Sequence, residues 1–372
     1  MKQLIFFFLM ITKLLTSYED ISHRVIPLEE VIIAKKSISI PFALNDSNQI
    51  IVNVCLGNNH NCYPFKVATN IDHCFIYEKS LSPIGYDYKE SSTAEIEEPF
   101  ISFEIENNKF EGYVVRDTFV IPNTKINVSN FPFYVVNKGK VSKNYVGVLG
   151  LGKKYIDNFK SLLSMLYINN QLNHLSFSLF YEGDGGILKL GYHETNDTRE
   201  YKTCDIVDTN DDEDPYFQTI LYSMIFEEEK SFQENIQIYN ESQVVWLSPG
   251  ASWIYCPESF FTFLIQHIFK KFIDLNACYV SDVHNMISII KCNDNILDEK
   301  LGELLFIFGK WNIKEKLNEL FENCGNHVCF GIAKFEGENK WILGYPFLKK
   351  HPIFFDFDNF LIKIKRHISS SS

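Results

Sequence analysis

From Ser37 onwards, short runs rich in Val, Ile, Phe and Tyr alternate with turn residues: Ile50–Leu56, Tyr63–Val67, Phe100–Ile105, Gly112–Val120 and Phe133–Val136. Branched and aromatic side chains suit the pleated, half-buried surface of a sheet, so this rhythm predicts strands. Helical patterns are fewer. Tyr155–Ile168, Pro257–Phe272 and the shorter Lys314–Phe321 are the candidates, with Pro257 placed to open its helix. The expected class is all-β, mainly strands with a few short helices.

The N-terminal pattern is different. Lys2 precedes the apolar stretch Leu4–Ile11, and Thr16 and Ser17 supply small residues near a cleavage point. Residues 1–17 read as a secretory signal peptide, too short in its apolar part to cross a bilayer. No later apolar segment has spanning length, so no integral membrane segment is expected after signal removal. The tail, Ile368 and then Ser369–Ser372, carries no lipid-anchor pattern. The expected destination is the secretory pathway, either secreted or in an endomembrane or vacuolar lumen.

The rest of the chain repeats itself. Each half has an apolar strand, a loop of small residues, and later two apolar residues followed by glycine: Val148-Leu149-Gly150 and Ile342-Leu343-Gly344. A duplicated β-lobe with one loop per lobe predicts a cleft where the two loops face each other. The expected boundaries are a short pro- or N-terminal segment at 18–36, an N-terminal β-lobe at 37–192, an acidic junction at 193–214 and a C-terminal β-lobe at 215–366. Within the junction, Asp208-Thr209 has the wrong flanks for an active-site loop and reads as part of a solvated acidic stretch.

Composition narrows the partners. The chain is 46% hydrophobic and 22% charged, which is globular and not disordered. A net charge of −12 without a long basic run argues against nucleic acid and against anionic membrane surfaces. With a signal peptide, the nine cysteines read as disulfide formers, and their odd number leaves at least one thiol over. Cys55 and Cys62 flank Gly57-Asn58-Asn59-His60, a turn by composition, and are expected to face each other across a hairpin. Cys292 with Cys329, then Cys278 with Cys324, are the further expected pairs. No Cys/His spacing suits zinc, so neither a metal nor a cofactor is expected. Asn-x-Ser/Thr sequons begin at Asn45, Asn127, Asn196 and Asn240.

Several motifs, in order, carry a specific likeness. Ile51–Val67 leads into the loop Ala68-Thr69-Asn70-Ile71. Tyr145–Gly152 follows, then Phe177–Phe180 with Gly185–Gly191, then Pro215-Tyr216-Phe217-Gln218-Thr219. The loop Ser248-Pro249-Gly250-Ala251 comes next, and Trp341–Gly344, Phe347 and Phe355-Asp356 close the series. From about residue 48 to 365 the chain resembles the pepsin-like aspartic peptidases, the peptidase A1 type. The resemblance implies a two-lobed acid-protease fold with a cleft between the lobes, a monomer, and an extended peptide or protein segment as ligand.

The same resemblance marks what is missing. In the family each loop reads Asp-Thr-Gly-Ser/Thr, and two Asp share a proton and hold the attacking water. Ala68 and Ser248 fall on those Asp positions. Thr69 is kept but Pro249 replaces its mate, bringing neither hydroxyl nor N–H. Asn70 stands for the first loop's glycine and tolerates positive φ, while Gly250 is kept. Ile71 and Ala251 replace the outer hydroxyls. Ile105 falls near the tip of the flap, where the family has Tyr, and Tyr345 takes a family Asp position. Asp72 reads as a turn-stabilising residue. His60, His73 and His174 are the nearest histidines and carry no diagnostic motif. General acid–base help contributes about 10²–10⁴ in rate, so the expectation is a pseudo-peptidase that binds peptide without cutting it. Residual or altered aspartic-type proteolysis, and a secreted interaction protein that uses its outer surface, are the alternatives.

Overall fold

Alternation along the chain decides most of the architecture. In the strand Ser37–Leu44, Ile38, Ile40 and Phe42 are buried while Ser37, Ser39 and Pro41 face solvent, the period of two that a half-buried strand requires. The computed structural model describes residues 36–105, 108–152, 161–193, 200–205, 207, 217–227, 235–239, 242–283, 286–336 and 340–365. The expected signal peptide, residues 18–35, most of the acidic junction with Asp208-Thr209, Pro215-Tyr216, the sequons at Asn196 and Asn240, and Tyr155–Lys160 lie outside the described residues.

The fold is mostly β, as expected, with few short helices. Thirteen described strands form one continuous sheet, and smaller sheets of eight and four strands belong to the second half of the chain. At one end of the large sheet, the strands Tyr201–Asp205, Leu361–Lys365 and Ile353–Asp356 join Ser176–Glu182, Gly185–Gly191 and Ser37–Leu44. The C-terminal hairpin thus completes a sheet begun by the first half. Phe355 lies opposite Phe177 in the antiparallel register, and their rings stack 4.6 Å apart. Phe217 closes this apolar seam 4.2 Å from Phe355.

Helices cover the sheets where the pattern allows. Pro257 is the N-cap of Glu258–Phe263, which continues through the π-turn Leu264–Ile268 into Lys270–Asp274. Phe260, Leu264, Ile268 and Phe272 recur every four residues on its buried face. The described end of the first expected helix is Leu162–Ile168, where Ser161 accepts a hydrogen bond from the Ser164 N–H.

The third expected helix is corrected. Trp311–Lys316 is a strand paired with Glu303–Phe308, and only Leu317–Leu320 makes a single 3₁₀ turn. The buried positions there are Ile313 and Glu315, two apart. A buried glutamate hid the alternation.

Two expected disulfides are also corrected. Cys55–Cys62 forms as expected, across directly opposed positions of the hairpin that turns at Gly57. The other bridges are Cys278–Cys292 and Cys324–Cys329, not Cys292–Cys329 or Cys278–Cys324. Register explains the difference. Cys278 faces Cys292 across its own hairpin, whereas Cys329 lies opposite Lys291 and Cys292 opposite Val328. One step along a strand turns a side chain to the other face of the sheet, so Cys329 and Cys292 cannot meet. Three bridges suit an oxidising, secretory or lumenal compartment. No helix among the described residues is long and apolar enough to cross a membrane.

Candidate functional site

Two loops are built alike. Asn61–Ala68 runs parallel to Gly147–Gly150, with Val67 opposite Leu149 and Ala68 opposite Gly150. Phe75–Tyr77 then runs antiparallel along the other side of that same strand. In the second half, Gln243–Leu247 runs parallel to Trp341–Leu343 with Leu247 opposite Leu343, and Ile254–Cys256 flanks it antiparallel. Each loop therefore leaves one side of a short central strand and returns on the other.

Two glycines align the loops residue by residue. A methyl group on Gly150 would lie 2.7 Å from the Ile71 carbonyl oxygen and 2.3 Å from that of His73. On Gly344 it would lie 2.6 Å from the Ala251 oxygen and 2.2 Å from that of Trp253. Both central strands must end in glycine because loop backbone crosses directly over them. The equivalence sets Ile71 against Ala251 and His73 against Trp253, and hence Ala68 against Ser248, Thr69 against Pro249, Asn70 against Gly250 and Asp72 against Ser252.

Backbone bonds hold both turns. The Leu151 N–H donates to the Ala68 carbonyl at 2.8 Å, and the Gly152 N–H to Ile71 at 2.7 Å. Ser248 donates to Leu343 at 3.1 Å, Ala251 to Ser248 at 2.9 Å, and Tyr345 to Ala251 at 2.9 Å. Neither Asn70 nor Gly250 adopts a left-handed backbone. The expectation that Asn70 would need tolerance of positive φ is therefore corrected: this turn asks for none.

The loops meet. A methyl built on Gly250 would sit 3.6 Å from the Val67 carbonyl oxygen and 3.6 Å from the Lys66 side chain. The Ser252 hydroxyl donates to the Ser47 carbonyl in the turn before strand Ile50–Leu56. Ala68, Thr69, Ile71, Ser248 and Pro249 are buried at this junction, while Asn70, Gly250 and Ala251 are half-buried.

The flap is the hairpin Glu95–Ile105 with Asn108–Val120. Ile105 pairs with Asn108 at its described end and is only partly buried. The flap residue that reaches the first loop is Phe103, two positions earlier on the same face. Its ring lies 4.9 Å from His73, 5.1 Å from Tyr134, 5.5 Å from Phe110 and 5.8 Å from Phe75. Sequence reasoning missed it because flap length slides freely against a single chain, though strand alternation from Ile105 already pointed to position 103.

Polar groups behind the first loop were also underread. His73 Nδ1 lies 2.7 Å from Asp72 Oδ1. Asp72 Oδ2 and His73 Nε2 are both buried without a hydrogen-bond partner among the described residues. The counterpart of Asp72, Ser252, is the hydroxyl already bonded to Ser47. Tyr345 is buried beside Tyr181, 5.4 Å between ring centres, with Lys349 over its face at 5.2 Å. Burial, and after it the charges of Glu322 and Asp184, pushes its hydroxyl up to about 12. Burial also pushes the Cys74 thiol up to about 12, although a Gly150 backbone bond works against it.

One cluster could in principle hold a cation. His174, Asp356 and Asp358 bring their ligand atoms within 4.8 Å of one another. Each is already engaged. Asn359 donates to both oxygens of Asp356, and the Leu175 N–H and His174 bind Asp358. The cluster closes the turn after Ile353–Asp356. His60 is exposed on its hairpin turn.

No match was found among curated proteins. The sequence does match the family described as eukaryotic aspartyl protease over residues 67–366. That span carries both loops, both glycine-ended strands and the flap, and the chain belongs to the eukaryotic aspartyl protease family.

Proposed function

We propose that this protein is a non-catalytic member of its family, a secretory-route protein that holds extended peptides or protein segments in the groove between its loops. The observation that carries this reading is the pairing of Ala68 with Ser248 at the equivalent positions set by Gly150 and Gly344. Cleaving an amide by the family's chemistry needs one carboxylate as base toward water and a second carboxyl as acid toward the leaving nitrogen. A methyl and a hydroxyl supply neither. Asp72 offers a carboxylate on one side only, because its counterpart is Ser252.

The groove itself rests on the family fold and on backbone, both retained. Strand-lined clefts bind extended peptides through main-chain bonds and alternate side-chain pockets. The lobes in this proposal are residues 37–192 and 215–366, joined by 193–214 and preceded by a signal at 1–17 and a short segment at 18–36, acting as a monomer.

Purified full-length protein, mixed with a peptide library at acid and neutral pH, is expected to leave every peptide intact while selected peptides raise its melting temperature. Peptide cleavage that a statine-type inhibitor blocks would overturn the reading.

A further inference from the structure

The pair behind the first loop has no part in the chemistry above, yet it is built at some expense. Asp72 is 6% exposed, and its Oδ2 has no hydrogen-bond partner among the described residues. A buried carboxylate oxygen left unpaired is unfavourable, and few such groups survive in a fold without a reason. His73 Nδ1 faces the other oxygen at 2.7 Å, and that oxygen accepts from it. His73 Nε2 is also buried and has no hydrogen-bond partner among the described residues. The loop therefore holds one unanswered carboxylate oxygen, with an imidazole bonded to the other oxygen of the same group.

Aromatic rings surround them. His73 lies 4.9 Å from Phe103, 4.6 Å from Tyr134 and 6.5 Å from Phe75. Glu98 stands on the flap strand opposite Val114, which in turn lies opposite Tyr134. Burial first, then the charges of Asp72 and Glu98, raises the Tyr134 hydroxyl above its ordinary value. Glu98 is exposed on the strand that carries Phe103. Arg116, the nearest basic residue of the paired strand, is engaged with Glu97.

We propose that Asp72, His73, Phe103 and Tyr134, with Glu98 at the rim, form a subsite for one cationic side chain, the ammonium or guanidinium of a lysine or arginine in an extended peptide. The inference rests on the groove-binding reading and names the ligand class that the groove selects. An unpartnered carboxylate oxygen calls for an N–H donor, and an ammonium or guanidinium brings one with the complementary charge. Ring faces attract the same charge. The chain's net charge of −12 favours its approach. A metal ion fits less well, since no third His, Cys, Asp or Glu joins the pair among the described residues. Phe103 packs edge-on to the His73 ring, and in this proposal the cation enters by displacing it.

The test uses the full chain and two sets of fluorescein-labelled decapeptides. Both share an apolar background. One set moves a single arginine through every position, and the other has citrulline, its neutral isostere, in the same places. At least one arginine peptide is expected to bind about 10- to 100-fold tighter than its citrulline twin, the range for a hydrogen-bonded charge. Asp72→Asn is expected to erase that preference, and Glu98→Gln, an exposed change that leaves folding intact, to shrink it. Equal binding of the twins overturns the cationic subsite and leaves groove binding standing. Peptides that bind neither twin, and give no melting shift, overturn both. A preference that survives unchanged in Glu98→Gln and in a folded Asp72→Asn also overturns the subsite.

Discussion

Replacing Glu315 by Gln tests how the second half of the chain is tied to its end. Glu315 points inward from strand Trp311–Lys316 and is 2% exposed. Its Oε1 bonds His351 Nε2, and its Oε2 accepts from Lys350 at 2.9 Å. His351 is itself buried, and its Nδ1 lies 3.4 Å from the Lys365 carbonyl in the last described strand. One carboxylate thus joins the four-stranded sheet to the segment after Tyr345–Leu348 and to strand Leu361–Lys365. Burial, the largest influence on Glu315, pushes its carboxyl up; His351 and then Lys350 more than offset it, so the group titrates below its ordinary value.

Removing one member of a buried pair costs about 3–5 kcal/mol, because the partner is left as an uncompensated charge. Gln keeps the shape and one acceptor, which puts Glu315→Gln near the low end, about 3 kcal/mol. At about 2–4 °C per kcal/mol for a chain of this order, the melting temperature at neutral pH is expected to fall by about 6–12 °C. The sign with pH follows from the lowered titration. The stabilisation is fully present above the unfolded glutamate value of about 4.3 and is lost as pH falls through the folded value. The gap between wild type and variant should therefore close in acid. Lys270→Gln serves as control, since its partner Asp274 is an exposed i,i+4 neighbour and such pairs contribute little. Melting curves from neutral pH to about pH 3 decide it. A variant within about 1 °C of wild type at neutral pH, or a gap unchanged in acid, would refute the reasoning.

The remaining predictions concern backbone and bridges. Gly344→Ala drives a methyl to 2.2 Å from the Trp253 oxygen, so urea denaturation should show a loss of about 1–3 kcal/mol; Gly250→Ala meets nothing closer than 3.6 Å and should be nearly neutral. Similar midpoints for both would contradict the loop alignment. Removing Cys278–Cys292 with a double serine variant should cost about 3 kcal/mol, and non-reducing peptide mapping of wild type should yield Cys278–Cys292 and Cys324–Cys329. Recovery of a Cys292–Cys329 peptide would show that the strand register is wrong.

What was legible in the sequence is what local pattern controls. Runs rich in Val, Ile, Phe and Tyr between turn residues gave away Ile50–Leu56 and its neighbours, and Pro257 at the head of an apolar stretch gave the helix. Cys55 and Cys62 were readable because a hairpin fixes its own register. Cys278, Cys292, Cys324 and Cys329 were not, because their choice depends on which strand lies beside Ile287–Cys292 and at what offset. Glu315 misled for a related reason. A charged residue signals exposure until its partner is known, and His351 and Lys350 are brought to it only by the fold.

The loops show why the family frame and the loop chemistry can part company. Gly150 and Gly344 are held by backbone: carbonyls of Ile71, His73, Ala251 and Trp253 lie where any side chain would go. Nothing comparable fixes the residues at 68 and 248. Their neighbours Leu151 and Leu343 bond to their main chain, which every amino acid offers. Two carboxylates crowded at such a junction repel each other when ionised; on the reading proposed above, Ala68 and Ser248 stand there without that strain. Asn70 follows the same logic, since its position demands no left-handed backbone. Folding therefore preserves the turn and the glycine beneath it whether or not an acid stands above. Only a requirement for chemistry would keep aspartate at those two places.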